Sequence, residues 1–338
     1  MRNWTMKPAG LLLTAAVLLA TAGCEWPPQE TEQVGYRGTA MELVNSPETI
    51  AGNADLHEVP APQPPTTTDG PKARDIYQNV QVLGDLSVGE FTRLMLAITE
   101  WVSPEQGCNY CHVGENFADD SLYTKTVSRR MLQMNLDING NWQDHVKQTG
   151  VTCYTCHRGQ NVPGEIWFDQ LPRESAAGFT ADNGTQNIGG MATVAYSSLP
   201  GDPFDQFFDD YRQVRVIADT ALPQKNNQGA SIQATEYTYG LMMHMSTSLG
   251  VNCTFCHNSR AFAQWDESTP QRLTSWHCVN LVRNLNEEYM VPLKPVYPEN
   301  RLGPKGDAPK ANCATCHRGV NKPLNGQSML PDYPNLAP

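Results

Sequence analysis

Four copies of Cys-x-x-Cys-His run through the chain: Cys108-Asn-Tyr-Cys111-His112, Cys153-Tyr-Thr-Cys156-His157, Cys253-Thr-Phe-Cys256-His257 and Cys313-Ala-Thr-Cys316-His317. Each has the spacing of a c-type haem attachment site, where two thiols bond the vinyl groups and the adjacent His supplies one axial nitrogen. The four copies use eight of ten cysteines and four of eight histidines. Zinc would need four thiolate or imidazole ligands per metal and gives no reason for a His after every second Cys. The expected cofactors are four covalently bound haem c groups, with no disulfide framework.

These motifs need elements to hold them. A helical stretch precedes each one. Segment 88–101 has Phe91, Leu94, Met95 and Ile98 on one face, with a Ser87/Glu90 capping-box pattern at its start. Segment 126–140 aligns Val127, Met131, Met134 and Ile138, and segment 234–249 holds Met242, Met243, His244 and Met245. Thr269 and Pro270 read as cap and first helical residue, with Leu273, Trp276, His277 and Leu281 assigned to one face. Gly-Val-x-Cys-x-x-Cys-His recurs at Gly150 and Gly250, and Cys-His-Arg-Gly at Cys156 and Cys316. The fold class expected is mainly α with extensive loops: a helix-then-motif unit repeated four times, in two pseudo-symmetric two-haem halves at 75–160 and 231–320. Between them, 161–230 is rich in Gly, Pro, Asn and Asp. There Ala192 to Ser197 and Gln213 to Ile217 suit short strands, giving minor β structure. Residues 24–74, with Pro60-Ala61-Pro62-Gln63-Pro64-Pro65, read as an extended arm whose His57 is a solvated side chain. Residues 321–338 are left as a tail.

An electron-transfer haem needs its second axial site filled, usually by Met or His, with Met/His raising the potential relative to His/His. Met95 is the one Met on the helix before Cys108. Met131 and Met134 compete for the second iron, and Met242, His244 and Met245 for the third. For the fourth, Met290 lies at the far end of its helix, His277 is local, and His145 is left over from the first half.

With 338 residues, 25 Pro, 26 Gly and 40% hydrophobic content, side chains alone would bury a thin core. Large apolar rings would enlarge it. The formal charge is −11. Residues 1–23 carry only Arg2 and Lys7, so a chain starting at Cys24 stands two positive charges lower, at −13. Such acidity argues against nucleic acid and for a basic protein partner. Met1 to Pro8 is positively charged, and Gly10 to Gly23 is an apolar run of signal-peptide length. It ends at Thr21-Ala22-Gly23-Cys24, which resembles a lipoprotein cleavage site with Cys24 as the lipidated residue. An uncleaved anchor helix is the alternative.

The chain resembles the tetrahaem cytochrome c subunits of the photosynthetic reaction centres of purple bacteria. The resemblance covers nearly the whole mature chain. It is carried by Ala97-Ile98-Thr99-Glu100-Trp101-Val102-Ser103-Pro104, Thr149-Gly150-Val151-Thr152-Cys153-Tyr154-Thr155-Cys156-His157-Arg158-Gly159 and Arg212-Gln213-Val214-Arg215-Val216. Asn252-Cys253-Thr254-Phe255-Cys256-His257-Asn258, Thr269-Pro270-Gln271-Arg272 and Arg301-Leu302-Gly303-Pro304 add to it. It implies axial pairs Met95/His112, Met131/His157, Met242/His257 and, for the fourth haem, His145/His317. It further implies relay of electrons from a soluble periplasmic cytochrome c or high-potential iron–sulfur protein to the photo-oxidised bacteriochlorophyll pair. The implied partners are the L, M and H membrane subunits, and the implied location is the periplasmic face of the photosynthetic membrane, tethered at the N-terminus. The chain departs from the family at His277-Cys278, which leaves His277 as a rival fourth ligand and makes Cys278 a buried free thiol. It departs again at Thr21, where Leu is usual. A multihaem reductase or peroxidase would need an iron with an open site, which the supply of Met and His disfavours. A general shuttle would not need the tether or the shared strings.

Overall fold

The helices form where periodicity and caps agree. In the computed structural model, which describes residues 28–171, 194, 199–201, 203–216 and 230–337, the first long helix, α2, spans Val88–Val102. It follows α1 (Pro47–Gly52). Ser87 accepts from the Glu90 amide, and the Glu90 carboxylate accepts from the Ser87 amide, so the capping box closes. Next come α3 (Tyr123–Asn141), α4 (Gln143–Val146) and α5 (Cys153–His157). The second set is α6 (Ile232–Leu249), α7 (Pro270–Asn284) and α8 (Cys313–His317). Loops join them, and one small antiparallel sheet pairs β1 (Glu30–Gln33) with β2 (Glu42–Asn45).

Three apolar clusters hold these elements. Leu94, Ala97 and Trp101 of α2 pack with Leu132 of α3 and with Leu324, Met329, Tyr333 and Leu336, so residues 324–336 close over the α2–α3 pair. Phe204, Phe207 and Phe208 pack into the α6–α7 pair against Leu241, Val279 and Val282. Ile138 of α3 meets Leu281 and Leu285, which joins α3 to α7.

Four expectations need correction. The one ladder among the described residues lies at 30–33 and 42–45; between the halves Trp167 makes an isolated antiparallel bridge to Lys310, the described part of 213–217 forms no strand, and 192–197 lies outside the described residues except for Val194. Glu42–Asn45 docks its strand edge on Asn252. Residues 28–74 are thus not simply extended. His57 is not solvated: it is 2% exposed, with Nε2 3.3 Å from the Arg318 carbonyl. Finally, Leu273 and Trp276 are exposed, at 52% and 42%, and α7 buries Cys278, Val279, Leu281 and Val282 instead. Both sides of α7 carry apolar residues, so its inner face follows from its packing partners. The signal segment and Cys24 lie outside the described residues.

Candidate haem centres

The motif segments take two local forms. The first and third sit on single 3-10 turns, Gly107–Tyr110 and Cys253–Phe255. The second and fourth sit on α5 and α8, each opened by a capping-box residue, Thr152 or Asn312, and closed by an Arg in the left-handed region, Arg158 (φ 50) or Arg318 (φ 53).

Three of the four motif histidines share one arrangement. His157 Nδ1 donates to the Gln160 carbonyl at 2.8 Å, His317 Nδ1 to Val320 at 3.0 Å, and His257 Nδ1 to Phe262 at 3.0 Å. His112 Nδ1 is buried and leans toward the Phe117 backbone without a well-formed hydrogen bond. Its ring meets Phe117 edge-on, as the His257 ring stacks on Phe262. An imidazole donating through Nδ1 keeps the Nε2 lone pair free for a metal, which is how outer hydrogen bonds orient metal-binding histidines. Burial lowers the pKa of His112, His157 and His257. Burial, with nearby His145, brings His317 to about 4. All four imidazoles are therefore neutral at pH 7, as ligands must be. Burial raises the Cys111 thiol, Cys153 to about 12 and Cys256 to about 11. Contact with Cys278 and burial raise Cys313, and the neighbouring Cys316 sulfur raises Cys156.

The remaining expected ligands lie on α2, α3, α4 and α6. The Thr99 hydroxyl donates to the Met95 carbonyl at 2.8 Å and lies 4.0 Å from Cys108 Sγ, so the Met95–Thr99 turn of α2 faces the first motif. Ser128 on α3, one turn before Met131, lies 3.1 Å from Cys111 Sγ of the first motif. Met134 packs against Ile138 and Leu281, whereas Met131 stands outside those apolar clusters. Met242 is half-buried on α6, and Met245 is buried in the core. His244 is edge-on to Phe204 at 4.6 Å, next to Ser248, and reaches the Cys313 thiol of the fourth motif. His145 lies 129 residues in sequence from Thr274, whose carbonyl takes its Nδ1 proton at 3.1 Å. Its ring faces His317 with centroids 5.9 Å apart. Burial lowers the His145 pKa as well. His277 is absent from this group and Cys278 is in it.

Sequence reasoning missed the residues that set the motifs. Asn139 on α3 binds both polar groups of Val151, Oδ1 accepting from its amide at 2.8 Å and Nδ2 donating to its carbonyl at 2.9 Å; Asn135 donates to the same carbonyl. Two buried amides at i, i+4 on an otherwise apolar helix face were the available signal. Arg158 donates to the Cys316 carbonyl at 2.7 Å, and Cys156 and Cys316 sulfurs lie 2.8 Å apart, so the second and fourth motifs abut.

The donor set fits haem: thiol pairs, neutral imidazoles with Nδ1 committed in three of the four, and Met or His carried on helices. The profile of the family described as "Photosynthetic reaction centre cytochrome C subunit" matches residues 25–337. The chain belongs to that family. It is 51% identical over 326 residues to the photosynthetic reaction center cytochrome c subunit of Rubrivivax gelatinosus, covering 96% of this chain and 88% of the relative. Identity to the Thermochromatium tepidum subunit is 48% over 335 residues, covering 98% and 82%. For Roseobacter denitrificans it is 44% over 318 residues, covering 90% and 85%. As a reaction centre cytochrome c subunit the protein is an electron-transfer component and not an enzyme, carries covalent haem c, partners the reaction centre complex and is associated with the photosynthetic membrane. Among the described residues no helix is long and apolar enough to cross a membrane.

Proposed function

We propose that four haem c groups relay electrons through this subunit from a soluble periplasmic donor to the photo-oxidised bacteriochlorophyll pair held by the L, M and H subunits. The Cys pairs 108/111, 153/156, 253/256 and 313/316 attach them. The axial pairs are Met95/His112, Met131/His157, Met242/His257 and His145/His317. The alternation of 3-10 and α-helical motifs supports two pseudo-symmetric halves of two haems each. When bound, the haems supply one-electron carriers; the chain supplies ligands, spacing and a dry surrounding.

The observation that carries this reading is the chain of contacts between motifs. Helix α2 touches the first motif through Thr99 and the second through the Trp101 carbonyl, which accepts from the Gly159 amide. The second and fourth motifs abut at Cys156 and Cys316. Helix α6 runs beside the fourth, where the Ser248 carbonyl accepts from Gly319, and leads directly into the third. The order in space is first, second, fourth, third.

The third-motif end faces the membrane. Strand β2, which follows the tethered N-terminus, is seated there: Asn252 and Thr254 both donate to the Glu42 carbonyl at 2.8 Å, and Val44 donates to Asn252. A lipid on Cys24 would hold this end down and leave the first-motif end to the periplasmic donor.

Flash spectroscopy on membranes tests the reading. One light pulse will oxidise a haem in step with re-reduction of the bacteriochlorophyll pair. No haem oxidation with the subunit present and reduced would remove the donor role and favour a general shuttle.

A further inference from the structure

The first and third motifs share one local frame and differ at one polar contact. Each sits on a single 3-10 turn, and each has Phe five residues after its His, Phe117 or Phe262. Seven residues further on, a threonine hydroxyl donates to the carbonyl just before the second Cys: Thr124 to Tyr110, and Thr269 to Phe255. These contacts fix the register between the two units. At the next position the first has Lys125 and the third has Pro270, which offers no side-chain donor.

The consequence falls on the motif histidines. In the third unit the Phe262 carbonyl accepts from His257 Nδ1 at 3.0 Å. In the first, the Phe117 carbonyl accepts from the Lys125 ammonium at 2.7 Å, and His112 Nδ1 is buried with no hydrogen bond. Lys125 is 7% exposed, and it also contacts the Asp119 carbonyl at 2.8 Å and the Asp120 carboxylate at 3.1 Å. Arg129 takes the same Asp120 oxygen at 2.9 Å, while the Asp119 carboxylate accepts from the Ser121 amide. A charge-assisted bond outcompetes a neutral one for a shared acceptor.

We infer that Lys125 holds up the reduction potential of the first haem by withdrawing the Phe117 carbonyl from His112. The inference rests on His112 as an axial ligand in the reading above. A ligating imidazole that donates through its outer N–H is the more basic ligand, which favours the oxidised state. His112 lacks that donation, and the buried ammonium opposes the added positive charge of the oxidised group. Both effects raise the potential. His257 keeps its outer hydrogen bond.

The test is a redox titration of the full-length subunit in its membrane complex, resolved haem by haem. Met95→Leu is the reference that assigns the first haem; if it shifts no potential, the ligand reading fails and this inference goes with it. The expected result in Lys125→Met is a fall in the first haem's potential equal to about a tenfold change in its ferric-to-ferrous ratio, about 59 mV for one electron, with the third haem unmoved. Lys125→Arg, which keeps the charge and the donors, stays near wild type. Lys125→Gln, a neutral donor, falls between the Arg and Met variants. With Met95→Leu shifted as expected, an unchanged first haem in Lys125→Met, or an equal fall at the third, would overturn this inference alone. Equal first-haem potentials in the Arg and Gln variants would overturn it too, even where Lys125→Met fails to assemble.

Discussion

Two methionines one turn apart on α3 serve different ends. Met134 is packed against Ile138 and Leu281. Met131 stands outside those clusters, and the family resemblance assigns it to the second haem. Replacing Met131 by Leu will lower the second haem's potential and slow its re-reduction, because thioether ligation raises potential. Met134→Leu will leave that potential unchanged and cost less than about 1.5 kcal/mol, as volume-conserving core swaps do. Redox titration of both variants checks the choice, and a shifted potential in Met134→Leu would reverse it. A second residue-scale expectation concerns Lys310, whose ammonium is buried against Asp169 at 2.5 Å and Asp307 at 2.8 Å, and over the Trp167 ring. Asp209 is the outer carboxylate, 3.8 Å away, and burial lifts its pKa from 3.8 to about 6. A carboxyl that holds its proton more tightly when folded stabilises the fold at low pH and loses that contribution as pH rises through about 6. Asp209→Asn will therefore melt higher than wild type at pH 7.5, with the gain vanishing near pH 4. Equal gains at both pH values would sink this account.

At the scale of elements, close approach explains one motif feature that the sequence displays openly. Gly250 ends α6 at φ 61, and a Cβ there would run into the Gly319 carbonyl just after the fourth motif. Gly250→Ala adds a left-handed non-glycine, about 1–3 kcal/mol, and the clash besides. Its melting temperature will fall, and haem occupancy at the third and fourth motifs will fall with it; unchanged occupancy would separate the Gly250 contact from the motifs. The recurrence of Gly-Val before the second and third motifs was visible, whereas its partner in space was not. The same division runs through the fold. The helices were legible because Ser87, Pro270 and the 3.6-residue periodicity act locally. The burial of His57 was not, since Arg318, 261 positions away, supplies its partner. Nor was the inner face of α7, because Leu273 and Trp276 are as apolar as the residues it buries. Of the candidate ligands, the motif histidines and Met95 could be found by spacing, while the choice of Met131 over Met134 and of Met242 over His244 and Met245 came from family resemblance. His145 had to come from family resemblance, because its link to the fourth motif passes through Thr274 on another helix.

The whole molecule has two unlike ends. One carries β2 on the third motif. At the other, the first motif is flanked by Glu105 and Glu115, both exposed, and by exposed Val113 and Phe117. A chain of net charge −11 surrounds both with a negative field. The fixed end is pressed to the membrane in the proposed arrangement, so a diffusing donor meets the free one. Attraction between exposed charges fades beyond about 8 Å at physiological ionic strength and about 3 Å at 1 M. Re-reduction by a basic soluble donor will therefore slow by about tenfold or more between low and molar salt. Internal transfer to the bacteriochlorophyll pair will stay constant, since its partners are docked. Charge removal at the free end separates local steering from the global field. Glu105→Gln/Glu115→Gln will lower the second-order rate at low salt and flatten its salt dependence. The same two neutralisations at Glu30 and Glu32, on the strand near the third motif, will do neither. If the two pairs act alike, only net charge matters and the donor has no preferred end. If only the β1 pair acts, electrons enter at the third motif and the order first, second, fourth, third is traversed in reverse.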